Sequence, residues 1–298
     1  MDVQLALSKM KKYCATNSTE MQFCQLTTLR CGGTILLTVF PTSQKQLLQV
    51  AKLCTMANLP LCVLGNGSNV LASDKPFFGV VAVTKKLNKI SVVGSKVVAQ
   101  CGAHTTKLFW QLHKHGLCGG EFLRCLPATV GGAVVGNAGC FGQCMQNVLS
   151  KVLVWHNGKV QWFDASQCQF SHRNSIFKHT HALVLAVEMQ FERGDSQQIL
   201  HKSQQMLNKK QQSQPLNLPS AGSVLYHPTV CLSALLDKAG LKGTTIGGAQ
   251  ISTKHAGFVV NTGNATSTDV LLLIQHAQNV LQSRFGLQSN VEVQFVNF

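Results

Sequence analysis

Leu61-Cys-Val-Leu-Gly-Asn-Gly-Ser-Asn-Val-Leu-Ala-Ser-Asp74 is the stretch on which the reading of the fold turns. Four apolar residues of strand type run into Gly65, Asn66, Gly67, Ser68 and Asn69, a turn of residues that accept unusual backbone angles, and a second short apolar run follows. A glycine loop placed directly after a strand can offer main-chain N–H groups to phosphate oxygens without needing a cation. The third glycine of a dinucleotide fingerprint is missing, the loop leads to another strand rather than a helix, and no Walker pattern occurs. Taken alone, a Gly-x-Gly pair fits an ordinary hairpin as well.

Working outward, residues 35–40 read as a strand and residues 43–56 as a helix entered through Thr42-Ser43, which with residues 61–64 makes a strand–helix–strand opening. Short apolar runs at 80–83, 90–93 and 96–100 predict strands, and residues 105–116 a helix. Residues 148–154 and 160–163 predict a hairpin turning at Asn157-Gly158, with a further strand over 183–191. The polar run Glu192-Arg-Gly-Asp-Ser-Gln-Gln198 predicts a change of lobe, followed by a helix to residue 207 and a helix end and loop over the Gln-rich residues 205–214. Helices over 231–239 and 268–285 and a terminal strand over the alternating residues 291–296 complete an α+β chain of at least two lobes.

Composition narrows the class. Lys and Arg number 26 against 11 Asp and Glu, a net +15 that favours anionic ligands. The basic residues form only short clusters without interleaved aromatics, such as Lys85-Lys86 and Lys209-Lys210, so small anionic ligands are expected ahead of nucleic acid. The 12 cysteines include no Cys-x-x-Cys pair; reduced, mostly buried thiols are expected, with no metal site. No apolar run reaches the length of a membrane span and the first residues do not read as a secretory signal, so a cytoplasmic protein is expected.

Two further segments carry chemistry. Leu126-Pro-Ala-Thr-Val-Gly-Gly-Ala-Val-Val-Gly-Asn-Ala-Gly-Cys-Phe-Gly142 is crowded with small residues that would let the backbone lie against a flat ring while N–H groups meet its heteroatoms; close helix packing is the bland alternative. Gln214-Pro-Leu-Asn-Leu-Pro-Ser-Ala-Gly-Ser-Val-Leu-Tyr-His-Pro228 reads as turns, with Ser223 presented after Gly222. By themselves, Ser223 fits a turn-bonding hydroxyl, Arg173 a surface cation and Glu292 the solvent face of an alternating strand.

Read together, these segments resemble the UDP-N-acetylenolpyruvoylglucosamine reductase family. Leu26-Thr-Thr-Leu-Arg-Cys-Gly-Gly33, residues 64–74, residues 127–142, Arg173-Asn-Ser-Ile-Phe177 and residues 214–261 match its motifs in order, and the spacing around Arg173 resembles the branch without a large insertion. The resemblance implies bound FAD in a two-part lobe of the vanillyl-alcohol-oxidase-like type over residues 1–193, completed by the C-terminal strand, and a smaller α+β substrate-binding domain over 194–298. It implies NADPH-dependent reduction of the enolpyruvyl ether of a UDP-sugar nucleotide. Ser223 would be the proton donor, Arg173 the partner of the substrate carboxylate and Glu292 an aid to polarisation or proton transfer. Gly65, Asn66, Gly67, Ser68, Asn69, Thr129, Gly131, Gly132 and Ala133 would bind the cofactor. The alternatives are another FAD oxidoreductase of this fold, or a basic nucleotide- or nucleic-acid-binding protein whose chemistry has lapsed.

The chain departs from the family pattern at His172, where Tyr is usual, at Ala128 for Gly, and at Arg124 in a normally small, apolar region. Leu225-Tyr226-His227 replaces Phe-Lys-Asn, and Val293-Gln294 follows Glu292 instead of Val-Arg. His227 and Lys254 are the residues left to meet a diphosphate there.

Overall fold

The computed structural model describes every residue except 15, 16, 19 and 181. Residues 1–18, 38–66 and 80–210 pack as one compact unit, and residues 19–37, 67–79 and 211–298 as another. Strands Ile35–Val39 and Phe77–Val83 each begin in the second unit and end in the first.

In the first unit the β-rich middle of the chain builds an antiparallel sheet of five strands. Their order is Lys159–Asp164, Leu149–His156, Leu183–Gln190, Lys96–Gln100 and Ile90–Val93. The expected hairpin closes at Asn157 and Gly158, both left-handed at φ 49° and 77°, the backbone a two-residue turn between right-twisted strands demands. Leu61–Leu64 pairs in parallel with Phe77–Val83, and helix Gln44–Ala57, capped by Ser43 on the Gln46 N–H, buries Leu47, Val50, Leu53 and Cys54.

Helix Ser196–Ser213 runs through the Gln-rich segment expected to be a helix end and loop. The Arg124 guanidinium lies 5.1 Å from the Trp110 ring and 5.6 Å from that of Phe109, and its Nη1 donates to Ser203 Oγ at 3.0 Å. Lys202 pairs with the buried Glu121 at 3.7 Å. These contacts hold the helix in the first unit, and the polar run 192–198 lies there too, with Glu192–Arg193 paired to Leu117–Cys118 as a short strand and residues 196–198 opening the helix. They also explain why Arg stands at position 124.

The second unit is a four-stranded antiparallel sheet in the order Ser220–Ser223, Phe258–Asn261, Ala249–Ile251 and Thr245–Ile246, packed with helices Leu232–Lys238 and Ser267–Phe285. Its core joins Leu29, Cys31 and Leu71 to Val224, Leu236, Val259, Leu273 and Leu281. Two polar hubs, the buried Asn261 and the exposed Asp74, make those distant segments part of it. Asn261 donates to the Leu29 carbonyl at 3.1 Å and accepts from the N–H groups of Gly263 and Ala265 at 2.9 and 3.2 Å. Asp74 accepts from Ser267 N and Oγ at 2.6 and 2.8 Å, at the start of the long C-terminal helix. Among the described residues no helix is long and apolar enough to cross a membrane.

The expected terminal strand over 291–296 is broken. Asn290–Val291 pairs with Leu225–Tyr226, and Gln294–Val296 pairs in parallel with Val70–Ala72. Glu292 and Val293 lie in the passage from one partner to the other, so Glu292 is not a strand residue.

Candidate active site

Within the first unit the two glycine segments meet. The Asn66 side chain donates to the Pro127 carbonyl at 2.8 Å, and a Cβ on Gly65 would stand 2.2 Å from Thr129 Oγ1. Gly65 is therefore glycine because the second segment lies against it. Thr129 caps helix Val130–Val135 through its hydroxyl, which accepts from Gly132 N. Among the described residues the N–H groups of Gly65 and Asn66 donate to no protein acceptor, which leaves them available to an oxygen-rich ligand.

The segment after Pro127 behaves differently from expectation. Val130 N donates to Ala103 O at 2.8 Å, Gly131 N to Cys101 O at 2.7 Å and Ala133 N to Thr129 O at 2.8 Å. Its N–H groups are thus spent inside the protein, and Gly131 is small because a Cβ there would lie 2.8 Å from Cys101 Cβ. What the segment offers a ligand is a smooth surface at exposed Gly132, with no side chain to hold a ring away.

Arg173 is mounted on the same segment. Ser171 and Asn174 exchange two backbone hydrogen bonds of 3.1 Å, which puts His172 and Arg173 at the tip of a tight turn with Arg173 left-handed at φ 56°. A non-glycine residue in that region is a local strain of the kind found at functional positions. Ser175, fully buried, donates to Val135 O at 2.7 Å, and Asn137 donates to Ser171 O at 3.0 Å, so the turn is fixed from both flanks. Arg173 Nη1 donates to Gly139 O at 2.9 Å. Lys178, which the sequence reading did not single out, donates to Arg173 O at 2.6 Å and adds a second cation there. His172 is exposed, and burial of its ring followed by the charge of Arg173 lowers its pKa.

Ser223 and Glu292 come together in the second unit. The Gly-Ser segment, expected as a turn, is the strand Ser220–Ser223 with an irregularity in its pairing to Phe258–Asn261. Gly222 sits in that irregularity at φ 80°, a conformation that favours glycine, and Ser223 resumes the pairing opposite Phe258. The next residue links the two candidates: Glu292 N donates to Val224 O at 2.9 Å. Asn69 holds the other side, its Nδ2 donating to Glu292 O at 3.0 Å and its carbonyl accepting from Gln294 N at 2.9 Å.

Gly67 and Ser68, with Asn69, complete the loop from this unit. Gly67 is left-handed at φ 66°, its carbonyl accepts from Thr28 N at 3.1 Å, and a Cβ would meet Leu26 O at 2.4 Å. Thr28 Oγ1 also donates to Ser220 O at 2.7 Å, tying the glycine loop to the strand that carries Ser223. Of the two residues left to meet a diphosphate, Lys254 already donates to Gln211 O at 2.6 Å, and His227 Nδ1 accepts from Thr229 N at 3.3 Å. Thr28 and Lys178 were missed because an isolated Thr or Lys has no signature until its long-range partner is known.

With the geometry in place, comparison with known proteins is direct. Residues 214–296 match the C-terminal domain of UDP-N-acetylenolpyruvoylglucosamine reductase, and residues 35–164 match an FAD binding domain. The chain is 36% identical over 272 residues to the UDP-N-acetylenolpyruvoylglucosamine reductase of Caldanaerobacter subterraneus subsp. tengcongensis, covering 91% of this chain and 90% of that one. It is 35% identical to that of Clostridium novyi, covering 91% and 89%. The crystal structure of the reductase from Thermus caldophilus superposes with a TM-score of 0.80 at 27% identity, covering 94% of this chain and 98% of that one. The α+β architecture expected from the sequence is the one found.

Proposed function

The chain belongs to the UDP-N-acetylenolpyruvoylglucosamine reductase family, and from that premise we propose that it is the FAD-dependent enzyme that uses NADPH to reduce UDP-N-acetylglucosamine enolpyruvate to UDP-N-acetylmuramate, a step of peptidoglycan precursor synthesis. FAD, when bound, supplies the acceptance of hydride from NADPH and its delivery to the vinyl group. Support for flavin binding comes from the free N–H groups of Gly65 and Asn66 beside the smooth surface at Gly132. Thr129, Gly131 and Ala133 shape that surface, while Gly67, Ser68 and Asn69 continue the loop. The flavin-binding role, expected over residues 1–193 with the C-terminal strand, is assigned to residues 1–210 with that strand, and substrate binding, expected over 194–298, to residues 211–298. The substrate and NADPH are small anions, which suits a chain of net charge +15, and the cytoplasm is the assigned compartment.

The chemistry left to the side chains is control of charge and of one proton. Hydride addition to a vinyl carbon of an enolpyruvate leaves negative charge shared with the carboxylate. The Arg173 guanidinium meets that carboxylate and lowers the barrier by stabilising charge as it develops. The Ser223 hydroxyl gives its proton to the other carbon. A serine is a weak acid, so the step needs a strongly basic acceptor; Glu292 is assigned to the polarisation that assists this transfer. The observation that carries the assignment is the 2.9 Å bond from Glu292 N to Val224 O, which keeps Glu292 beside the residue that follows Ser223. Incubation with NADPH and the enolpyruvyl sugar nucleotide in deuterated water tests it. Solvent deuterium is expected at the carbon that Ser223 protonates in each product molecule, for each NADPH consumed. NADPH oxidation without a reduced sugar nucleotide would favour another substrate for the same fold.

A further inference from the structure

Lys178 takes no part in the chemistry assigned above, yet its ammonium group ends on the main chain of a residue that does. Its Nζ donates to the Arg173 carbonyl oxygen at 2.6 Å. A bond from an ammonium group to a carbonyl oxygen is charge-assisted, and such bonds are shorter and stronger than neutral ones. The lysine is also well placed to act as a fixed post. It closes the one-turn helix Ile176–Lys178, where its own N–H donates to Ser175 O at 3.2 Å. Phe177 on that turn is buried, with its ring 6.3 Å from that of Phe163, a residue of the edge strand Lys159–Asp164.

Arg173 needs such a post. It is half-buried at the tip of its turn and left-handed at φ 56°, a conformation that a residue with a long side chain adopts at a cost. The paired bonds between Ser171 and Asn174 close the turn without engaging the Arg173 carbonyl. Two further bonds hold the residue itself: Nη1 to Gly139 O at 2.9 Å fixes the far end of the side chain, and the Lys178 bond fixes the main chain at its root. With the root released, the peptide unit between Arg173 and Asn174 can rotate and the strained φ can relax. That swings the side chain away from Gly139, and a charged group displaced by about 1 Å loses much of what orientation gives it.

We propose that Lys178 is a positioning residue for the reaction: its bond to the Arg173 carbonyl holds Arg173 in the left-handed conformation from which the guanidinium meets the substrate carboxylate. Lys178 acts through Arg173 and not on the substrate. Its loss therefore weakens recognition of the carboxylate while leaving the rest of the sugar nucleotide bound as before, which a general contribution to stability would not do. The link to the carboxylate rests on the role given to Arg173 above; the hold on the turn does not.

The test titrates the full-length, flavin-loaded, oxidised protein by calorimetry with UDP-N-acetylglucosamine enolpyruvate and with UDP-N-acetylglucosamine, which lacks the carboxylate. Lys178→Met should weaken the first ligand about tenfold and the second by less than about twofold. Lys178→Arg, which keeps a cationic donor, should stay within about threefold of the parent for both. In an Arg173→Ala background Lys178→Met should cost less than about twofold further. Amide exchange followed by NMR reads the turn directly: the Ser171 and Asn174 N–H groups should exchange at least about tenfold faster in Lys178→Met, with those of the strand Leu183–Gln190 unchanged. Equal loss for both ligands, a loss that persists without Arg173, an Arg variant as weak as the Met variant, or parent-like exchange at Ser171 and Asn174 would each overturn the role of Lys178. Parent-like affinity for the enolpyruvyl ligand in Arg173→Ala alone would instead contradict the assignment of Arg173 to the carboxylate.

Discussion

Substituting Gly65 by Ala tests the claim that the two glycine segments are built against each other. The added methyl would lie 2.2 Å from Thr129 Oγ1 and 3.3 Å from its Cβ. The hydroxyl must retreat by roughly 1 Å to restore ordinary contact, and in retreating it gives up its cap on Gly132 N. Overpacking of this kind costs about 1–3 kcal/mol and a lost Thr cap about 1 kcal/mol. Gly65→Ala is therefore expected to destabilise by about 2–4 kcal/mol and Thr129→Ala alone by about 1 kcal/mol. In the double variant the clashing oxygen is gone, so its total should fall short of the sum by about 1–2 kcal/mol. Urea unfolding of the four flavin-free proteins, followed by circular dichroism, gives the coupling. Additivity within about 0.5 kcal/mol, or a neutral Gly65→Ala, would refute the contact.

Ser223→Ala should leave reduction of the bound flavin by NADPH close to the parent rate and slow its reoxidation by substrate at least ~100-fold; equal loss in both half-reactions would remove Ser223 as proton donor. Asn261→Ala removes three hydrogen bonds from a buried hub and should lower the unfolding free energy by about 3 kcal/mol, at about 1 kcal/mol for each bond; a change under about 1 kcal/mol would show the hub to be incidental. The hydrogen bond from Thr266 N, with that from Gly248, holds the Asp269 carboxyl below its ordinary value of 3.8. A depressed carboxyl stabilises above its unfolded pKa and loses that contribution as pH falls through the folded one. The difference in urea midpoint between wild type and Asp269→Asn should accordingly shrink between about pH 6 and about pH 3, and a constant difference would deny the cap its charge dependence.

Local signals were legible wherever one segment determines its own shape. The strand–helix–strand opening, the Asn157-Gly158 hairpin and the long helix ending at Phe285 follow from periodicity, turn chemistry and caps that act over a few residues. The N-terminal helix Val3–Tyr13 had its signals too, an Asp2 cap and buried Ala6, Leu7 and Met10, yet it was not anticipated. Long-range pairing was not legible. Nothing near Asn261 or Asp74 announces that residues 29–31 and 67–74 will pack with the C-terminal region, since one polar side chain chooses its partner some 200 residues away. The alternation of residues 291–296 survives in the sequence although the strand changes partner at Glu292, because pattern records faces rather than neighbours. At Gly222 composition signalled a positive φ, but only the pairing of Ser223 with Phe258 distinguishes a bulged strand from a turn. Of the site, the residue types were visible in the sequence. The bonds that seat them, from Arg173 to Gly139 and from Glu292 to Val224, were not.

The most direct test of the central claim is an anaerobic double-mixing experiment on the flavin-loaded protein, following its visible absorbance. NADPH alone should bleach the flavin, and UDP-N-acetylglucosamine enolpyruvate added next should restore the colour in one stoichiometric turnover, with UDP-N-acetylmuramate recovered. A flavin that stays bleached after the sugar nucleotide is added, or a protein that takes up no flavin, would contradict the account.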